Sequence, residues 1–272
     1  MNIYTKQQVE SIKSETFAYL IVEEDDHILT LTLNRERKKN ALHTQLVNEL
    51  AFAMQYAYET SDIWLIVFKA KGNVFCAGAD LKAMAGIIEE NNSTIPQPKE
   101  DILIGELFNN IHKPTITVVA GDVYAGGFFF LAGASIVIAQ DTVKFGLPEV
   151  KRGLYPFQVM QALLKVMPER KVIDWCIRAY NLPVKEAEAF GLVTEVCSVD
   201  DIEQRVKAIC EEIKLNSPTA ISNGLKAYQH IRPTGAQHAY LFDMLQQTIA
   251  STDGQEGLKA FREKRKPNWT GS

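Results

Sequence analysis

The sequence predicts an α/β protein with a helical C-terminal region. The alternating leucines at positions 29, 31 and 33 predict a strand with one buried face. Residues 64–70, which are apolar except for Lys69, are typical of a fully buried strand. Between them, residues 44–59 place apolar side chains on one helical stripe. This alternation gives way to helix patterns alone. We therefore predict an α/β core over residues 1–200 and a helical region over 201–272.

Composition and charge exclude several classes of protein. The 272 residues are 46% hydrophobic and 23% charged, which is enough apolar material for a sizeable core in a soluble globular protein. The net charge of −4 argues against a general nucleic-acid or membrane-surface binder, because both need positive charge. No apolar run reaches the roughly 20 residues that span a bilayer. The first 16 residues also lack the features of a secretory or transit peptide.

The cysteines and the standard nucleotide motifs give negative predictions. Cysteines 76, 176, 197 and 210 form no CxxC pair and have no histidine at ligand spacing, so we predict neither a metal site nor disulfides, and reduced thiols in a cytoplasmic protein. Cys76 stands beside the candidate site but is interpreted as a small core residue. A phosphate loop, a dinucleotide fingerprint and a GxSxG elbow are all missing from the sequence.

Three short segments carry the candidate chemistry: residues 75–82 (FCAGADLK), 125–127 (AGG) and 145–149 (FGLPE). Each has the pattern of a strand end that turns into a helix, where backbone N–H groups lack partners and can receive developing negative charge. Together they predict an oxyanion hole faced by one carboxylate. Taken singly, they are equally typical of a packing turn, of close helix-to-strand packing and of a helix N-terminal cap.

The ordered set of segments resembles the crotonase superfamily, the enoyl-CoA hydratase/isomerase proteins, from about residue 18 to the C-terminus. Residues 113–121 are similar to the family's KPxIAAVNG segment, with Ala120 in place of asparagine, and residues 184–193 resemble its AxEAxxxGLV turn. The resemblance implies a crotonase-like ββα spiral core with a C-terminal helical domain that completes a homotrimer or hexamer. It also implies an acyl-CoA substrate, with coenzyme A as part of the substrate and no separate cofactor.

The resemblance assigns roles to individual residues. The N–H groups of Ala79 and Gly126 are the implied oxyanion donors, each worth roughly 3–4 kcal/mol in such sites, and Glu149 is the implied acid/base. Arg37 and Lys38 border the implied CoA nucleotide, although charge alone favours a solvated basic loop. The predicted substrate- and CoA-binding residues are Arg37, Lys38, Ala77, Asp80, Leu81, Lys82, Gly127 and Phe129.

Phe129 is the main departure from the family pattern. Hydratases of this family hold the attacking water with two glutamates, and this chain keeps Glu149 but has Phe129 at the other position. One carboxylate can move a proton between two carbons of a CoA-bound enolate, whereas water addition usually needs two groups. Burial against aromatic rings and loss of a neighbouring carboxylate shift the pKa of Glu149 in opposite directions, so its net direction stays open.

The function prediction therefore keeps several alternatives. Isomerisation of a 3-enoyl-CoA to a 2-enoyl-CoA fits a single carboxylate at least as well as hydration, and a carboxylate or hydroxyl of the substrate could replace the missing glutamate. Thioester hydrolysis and decarboxylation need no paired glutamates. A CoA-binding subunit whose catalysis decayed with Phe129 is the non-enzymatic alternative. The polar segment 84–104 is predicted to be an irregular insertion over the pocket that influences which acyl chain fits.

Overall fold

The computed structural model describes residues 3–84, 86–87, 89–231 and 237–270. The predicted insertion at 84–104 and the predicted C-terminal helices therefore include a few positions outside the described residues. Within this part of the chain, none of the helices combines the length and the apolar character that crossing a membrane requires.

The described residues form ten strands and twelve α-helices, joined by turns and short 3₁₀ helices. The strands are β1 (Leu20–Asp25), β2 (Ile28–Leu33), β3 (Leu65–Ala70), β4 (Val74–Cys76), β5 (Thr115–Val119), β6 (Asp122–Tyr124), β7 (Ile136–Gln140), β8 (Lys144–Gly146), β9 (Asn181–Pro183) and β10 (Glu195–Cys197). The helices are α1 (Lys6–Glu10), α2 (Thr44–Glu59), α3 (Leu81–Met84), α4 (Ile104–Leu107), α5 (Phe128–Gly133), α6 (Phe157–Leu163), α7 (Glu169–Arg178), α8 (Val184–Ala189), α9 (Ile202–Lys214), α10 (Pro218–Ile231), α11 (Gln237–Ala250) and α12 (Thr252–Glu263).

The strands build two sheets in a spiral. The larger sheet has the order β1-β2-β3-β5-β7-β10 and the smaller one β4-β6-β8-β9. In each of three successive turns the chain adds one strand to the larger sheet and the next strand to the smaller, as β3 then β4, β5 then β6, and β7 then β8. Strands β4, β6 and β8 are consequently parallel neighbours. The predicted α/β class is confirmed.

Both faces of the larger sheet are buried at its central strands β3 and β5, which explains the continuous apolar pattern of residues 65–68. Successive side chains of a strand point to opposite faces, so Ile66 and Phe68 enter the main core while Leu65 and Val67 enter a second one. The second core includes apolar residues of α9. Helix α9 thus packs on the sheet that precedes it, and the division of the chain at residue 200 stays a prediction.

One element differs clearly from the sequence-based expectation. The apolar residues of segment 102–111 have helical spacing, which predicts a helix, but the structure has only the single turn α4 there. Gly105 lies within this turn, and glycine costs about 1 kcal/mol relative to alanine in a helix, so the turn has little tendency to extend. Residues 102–105 instead line a cavity, so their apolar side chains serve a pocket wall as well as a core.

Candidate active site

The site lies where the parallel strands of the smaller sheet end. Strands β4, β6 and β8 end at residues 76, 124 and 146, and Ala79, Gly126 and Glu149 follow two or three residues later. The carboxyl ends of parallel neighbours lie at one edge of a sheet. The three segments that follow β4, β6 and β8 therefore begin next to one another. All three residues line one cavity of about 280 Å³.

The backbone around Ala79 is fixed by Leu42. The Leu42 N–H donates to the carbonyl oxygen of Gly78 at 2.7 Å, and the Asp80 N–H donates to the carbonyl oxygen of Leu42 at 2.9 Å. This pairing skips the N–H of Ala79, which donates to no described residue, and the same holds for the N–H of Gly126. Two adjacent unpaired N–H groups beside a cavity can bind an oxygen that becomes negative.

Glycine at position 78 allows the two donor segments, which carry the N–H groups of Ala79 and Gly126, to approach each other. Gly78 has φ +84°, and an added Cβ would lie 2.5 Å from the Cβ of Ala125 and 2.9 Å from the nitrogen of Gly126. Ala125 itself has φ +50°, which costs an L-residue roughly 1–2 kcal/mol. Strain at the second donor segment and close contact at the first indicate a site held in a specific geometry.

The three consecutive phenylalanines point in different directions from α5. Phe128 packs edge-to-face on Trp175 with ring centroids 5.1 Å apart, and Phe130 packs on Phe75 at 5.5 Å. Phe129 is the only one of the three that lines the cavity. An aromatic ring therefore lies at the position where the resemblance to the crotonase superfamily implies a second glutamate.

Glu149 is a half-buried residue whose carboxyl oxygen Oε2 is buried without a hydrogen-bond partner. It begins the 3₁₀ turn Glu149–Arg152, and its Oε2 accepts no hydrogen bond from the described residues. Burial raises the pKa of Glu149 to about 7, although the positive charge of Arg152 acts in the opposite direction. The direction that the sequence left open is thus upward, because desolvation dominates. A carboxyl group with this pKa can accept and return protons near neutral pH.

Several residues of the cavity wall were not predicted as site residues from the sequence. Arg152, Tyr155 and Gln158 come from the chain after Glu149, and Phe242 and Leu245 come from α11. No local motif marks these positions, because helices distant in sequence converge on the cavity only in three dimensions. Only for Arg152 did the sequence hold an indication, because this residue lies three positions after Glu149.

The predicted substrate- and CoA-binding residues fall into two groups. Leu81 and Phe129 line the cavity, whereas Arg37, Lys38, Ala77, Asp80, Lys82 and Gly127 do not. Arg37 and Lys38 are exposed on a 3₁₀ turn, and the adjoining carbonyl of Lys39 accepts a hydrogen bond from the Ala77 N–H at 3.0 Å. The basic loop is therefore attached to the chain that leads to Ala79. The roles of all these residues stay predictions.

Gly127 and Asp80 have clear contacts inside the protein. A Cβ added to Gly127 would lie 2.9 Å from Cγ1 of Val123, so this glycine serves close packing. Asp80 forms an ion pair with Arg35 at 2.7 Å, and Arg35, whose side chain is 3% exposed, also pairs with Glu89. Burial alone would raise the pKa of Asp80, but the hydrogen bond from Arg35 holds it below its ordinary value.

Removing Arg35 is expected to unfold part of this framework. Arg35→Ala leaves the Asp80 carboxylate without its buried partner, which typically costs about 3–5 kcal/mol in the free energy of unfolding. Asp80→Asn is expected to cost less, because Arg35 keeps Glu89. Urea unfolding of both variants measures the difference. Equal stability of Arg35→Ala and the unmodified protein would contradict this structural role.

Neither a metal site nor a reactive thiol is found among the described residues. Within them, no group of three or more His, Cys, Asp or Glu side chains is arranged to hold a metal ion. All four cysteines are buried and unpaired. Burial raises the pKa of Cys76 to about 12, so its thiol stays protonated and is a poor nucleophile.

Comparison with known protein families identifies the family of this chain. A sequence model described as enoyl-CoA hydratase/isomerase matches residues 23–272. The chain belongs to the enoyl-CoA hydratase/isomerase family. It is 30% identical over 258 residues to the probable enoyl-CoA hydratase echA8 of Mycobacterium bovis, a match that covers 94% of this chain and 99% of that protein. It is 29% identical to the probable mitochondrial enoyl-CoA hydratase of Dictyostelium discoideum, covering 93% of this chain and 91% of the relative.

Several solved structures share the fold of this chain. An enoyl-CoA hydratase/isomerase from Pseudoalteromonas atlantica superposes with a TM-score of 0.83 at 25% identity, over 93% of this chain and 100% of that one. A carnitinyl-CoA hydratase from Mycobacterium avium gives a TM-score of 0.80 at 25% identity, over 94% and 100% of the two chains. The predicted crotonase fold is confirmed, and the chain is a member of an enzyme family of the lyase and isomerase type.

Proposed function

We propose that this enzyme moves a proton between two carbons of an acyl-CoA thioester and so converts a 3-enoyl-CoA into a 2-enoyl-CoA. The observation that carries the proposal is that Glu149 is the only carboxylate among the described residues of the cavity wall, with Phe129 in place of a second one. One carboxyl group with a pKa of about 7 can both take and return a proton. In hydratases of this family a second glutamate holds the attacking water, and Phe129 cannot take that role.

The proposed reaction uses two kinds of protein group. The Ala79 and Gly126 N–H groups donate to the thioester oxygen, and the Glu149 carboxylate takes a proton from C2. The resulting negative charge moves onto that oxygen, where the two donors stabilise it. The Glu149 carboxyl then returns the proton to C4, and the double bond shifts from C3–C4 to C2–C3. The apolar walls exclude water that would trap the intermediate.

We further propose that coenzyme A enters as part of the substrate and needs no additional cofactor. The exposed guanidinium of Arg37 and ammonium of Lys38 lie next to the chain that carries Ala79, outside the cavity. These cations offset the acidic character of the protein where CoA phosphates would bind. The acyl chain then enters the cavity, and the nucleotide stays on the surface.

Hydration is the second candidate, because the relatives of this chain are named as hydratases. In that case Tyr155 and Gln158 of the cavity wall would supply the hydrogen bonds that orient water beside Glu149. Hydrolysis or decarboxylation would use the same donors and release free CoA or CO₂.

The proposal is tested with 3-hexenoyl-CoA and 2-hexenoyl-CoA as separate substrates. Isomerisation gives conjugated thioester absorbance from the 3-enoyl compound at constant mass. Gain of water by the 2-enoyl compound without isomerisation would replace the proposal by hydration. Release of free thiol would replace it by the hydrolase alternative. Inertness of both compounds, neither of which carries a carboxylate that could leave as CO₂, would favour the decarboxylase or binding alternative.

A glutamate at position 129 is expected to change the balance of products. Phe129→Glu places a second carboxylate in the cavity, where it can hold water against Glu149, and we expect the ratio of hydration to isomerisation to rise about tenfold or more. Phe129→Gln is the matched control, since it has similar size without the charge. An equal shift in both variants would mean that space for water, not a second carboxylate, limits hydration.

A further inference from the structure

Arg152 lies in the wall of the active-site cavity without a role in the proposed proton transfer. It ends the 3₁₀ turn that Glu149 begins, and it lines the same cavity as Ala79 and Gly126. Its positive charge acts on Glu149, but its guanidinium forms neither an ion pair nor a hydrogen bond with any described residue. The five N–H donors of this side chain are therefore available to another partner.

The C-terminal helix α12 holds Arg152 in this position. The guanidinium carbon lies 4.4 Å from the centroid of the Phe261 ring, a cation–π contact. The turn also packs tightly on the backbone of α12: a Cβ added to Gly257 would lie 2.2 Å from the carbonyl oxygen of Arg152. The guanidinium is thus positioned by packing, and its hydrogen-bonding capacity is not used for that purpose.

The positive charge and the planar shape of the Arg152 guanidinium indicate which kind of group it would bind. A cation that is partly withdrawn from water without an anion is costly, and a planar guanidinium pairs best with a carboxylate through two parallel hydrogen bonds. The wall around Arg152 is largely apolar, with Leu154, Val159 and Leu245 among its members. A second negative charge in this cavity would repel ionised Glu149 unless a positive charge offset it. Arg152 supplies that charge.

We infer that the acyl group of the substrate carries a carboxylate, which Arg152 binds, so that the substrate class is the CoA thioesters of dicarboxylic acids. The inference rests on the proposed function for the direction in which the acyl chain lies. The thioester oxygen is then fixed at Ala79 and Gly126, and the far carboxylate is fixed at Arg152. Fixing both ends of the chain determines which carbons face Glu149.

Binding of saturated thioesters tests the inference independently of turnover. Succinyl-, glutaryl- and adipyl-CoA are compared by calorimetry with butyryl-, valeryl- and hexanoyl-CoA, which have equal numbers of carbons. We expect tighter binding of the dicarboxylyl compound by about 10- to 100-fold at the best-fitting length, the range of a charged hydrogen-bonded pair. Arg152→Met is expected to abolish this preference, and Glu149→Gln is expected to keep it. A preference at no length, or one that survives Arg152→Met, would overturn the inference.

Turnover separates substrate recognition from an indirect effect on Glu149. With 3-hexenedioyl-CoA and 3-hexenoyl-CoA, Arg152→Met is expected to reduce kcat/KM for the dicarboxylyl substrate about 10- to 100-fold more than for the neutral one, mainly through KM. Equal losses with both substrates, together with a shifted pH profile, would assign Arg152 to the tuning of Glu149 and overturn the inference. If neither compound is isomerised while the binding preference persists, the proposed reaction fails and carboxylate recognition is supported.

Discussion

Replacing Glu149 with glutamine is expected to lower the turnover of an enoyl-CoA by about 10²–10⁴, the usual contribution of a general acid–base. The amide has nearly the same shape but cannot carry the proton between the two carbons. Binding of a saturated acyl-CoA is expected to change little, because the thioester donors are backbone groups of other segments. Rates with 3-hexenoyl-CoA and binding of hexanoyl-CoA measure the two effects. Unchanged turnover would remove Glu149 from the mechanism and favour the non-catalytic alternative.

The same residue predicts opposite pH dependences of activity and stability. Glu149 acts as a base only when ionised, so kcat/KM is expected to rise with pH through about 7. The folded protein, however, favours the protonated form, and it binds more protons than the unfolded chain between the ordinary pKa of 4.5 and about 7. The stabilisation from the neutral form is therefore lost as pH rises across that interval, by an amount on the order of 3 kcal/mol.

Glutamine removes this ionisation cost, so Glu149→Gln is expected to be more stable than the unmodified protein at pH 8 and to differ less at pH 5. Denaturant unfolding at the two pH values measures the contrast. The pair of expectations identifies Glu149 as a group kept at a cost in stability for its chemistry. A variant that is less stable at both pH values would contradict the raised pKa of Glu149.

The sequence was most informative about those segments of the candidate site that directly follow the end of a strand. The segments around Ala79, Gly126 and Glu149 could be singled out because strand ends that turn into helices have local signatures in small residues and glycines. The roles of these three residues stay predictions. Their convergence was not predictable from periodicity alone, since it depends on β4, β6 and β8 becoming parallel neighbours in a second sheet. The resemblance to a known family supplied that information.

The walls of the cavity were less predictable for a physical reason. Arg152, Gln158 and Phe242 contribute through tertiary packing of the turn after Glu149, of α6 and of α11, and no residue spacing encodes such a meeting. Asp80 makes a contact inside the protein that its local sequence did not indicate. The structure places its carboxylate on Arg35, a pairing across 45 positions that no local pattern reveals. The substrate contact that the family resemblance implies for Asp80 stays a prediction. Trimer or hexamer assembly stays a prediction.

An alanine at position 78 is expected to damage catalysis through the geometry of the oxyanion donors. The added Cβ would meet the Cβ of Ala125 and the nitrogen of Gly126 at 2.5 and 2.9 Å, so the two donor segments must move apart. Loss of one oxyanion donor typically lowers kcat by about 10²–10³. We expect Gly78→Ala to reduce kcat by this amount, with a smaller change in KM, because the donors act most strongly on the charge of the transition state.

Gly86→Ala separates this effect from backbone strain. Gly86 has φ +77°, close to the +84° of Gly78, yet an added Cβ there meets no described atom within 4 Å. Both variants should lose roughly 1–2 kcal/mol of stability from the left-handed conformation, and Gly78→Ala should lose more from the clash. Only Gly78→Ala is expected to lose kcat, which places the effect at the junction of Ala79 and Gly126. Retention of normal kcat in a folded Gly78→Ala protein would mean that these two N–H groups do not hold the reacting oxygen.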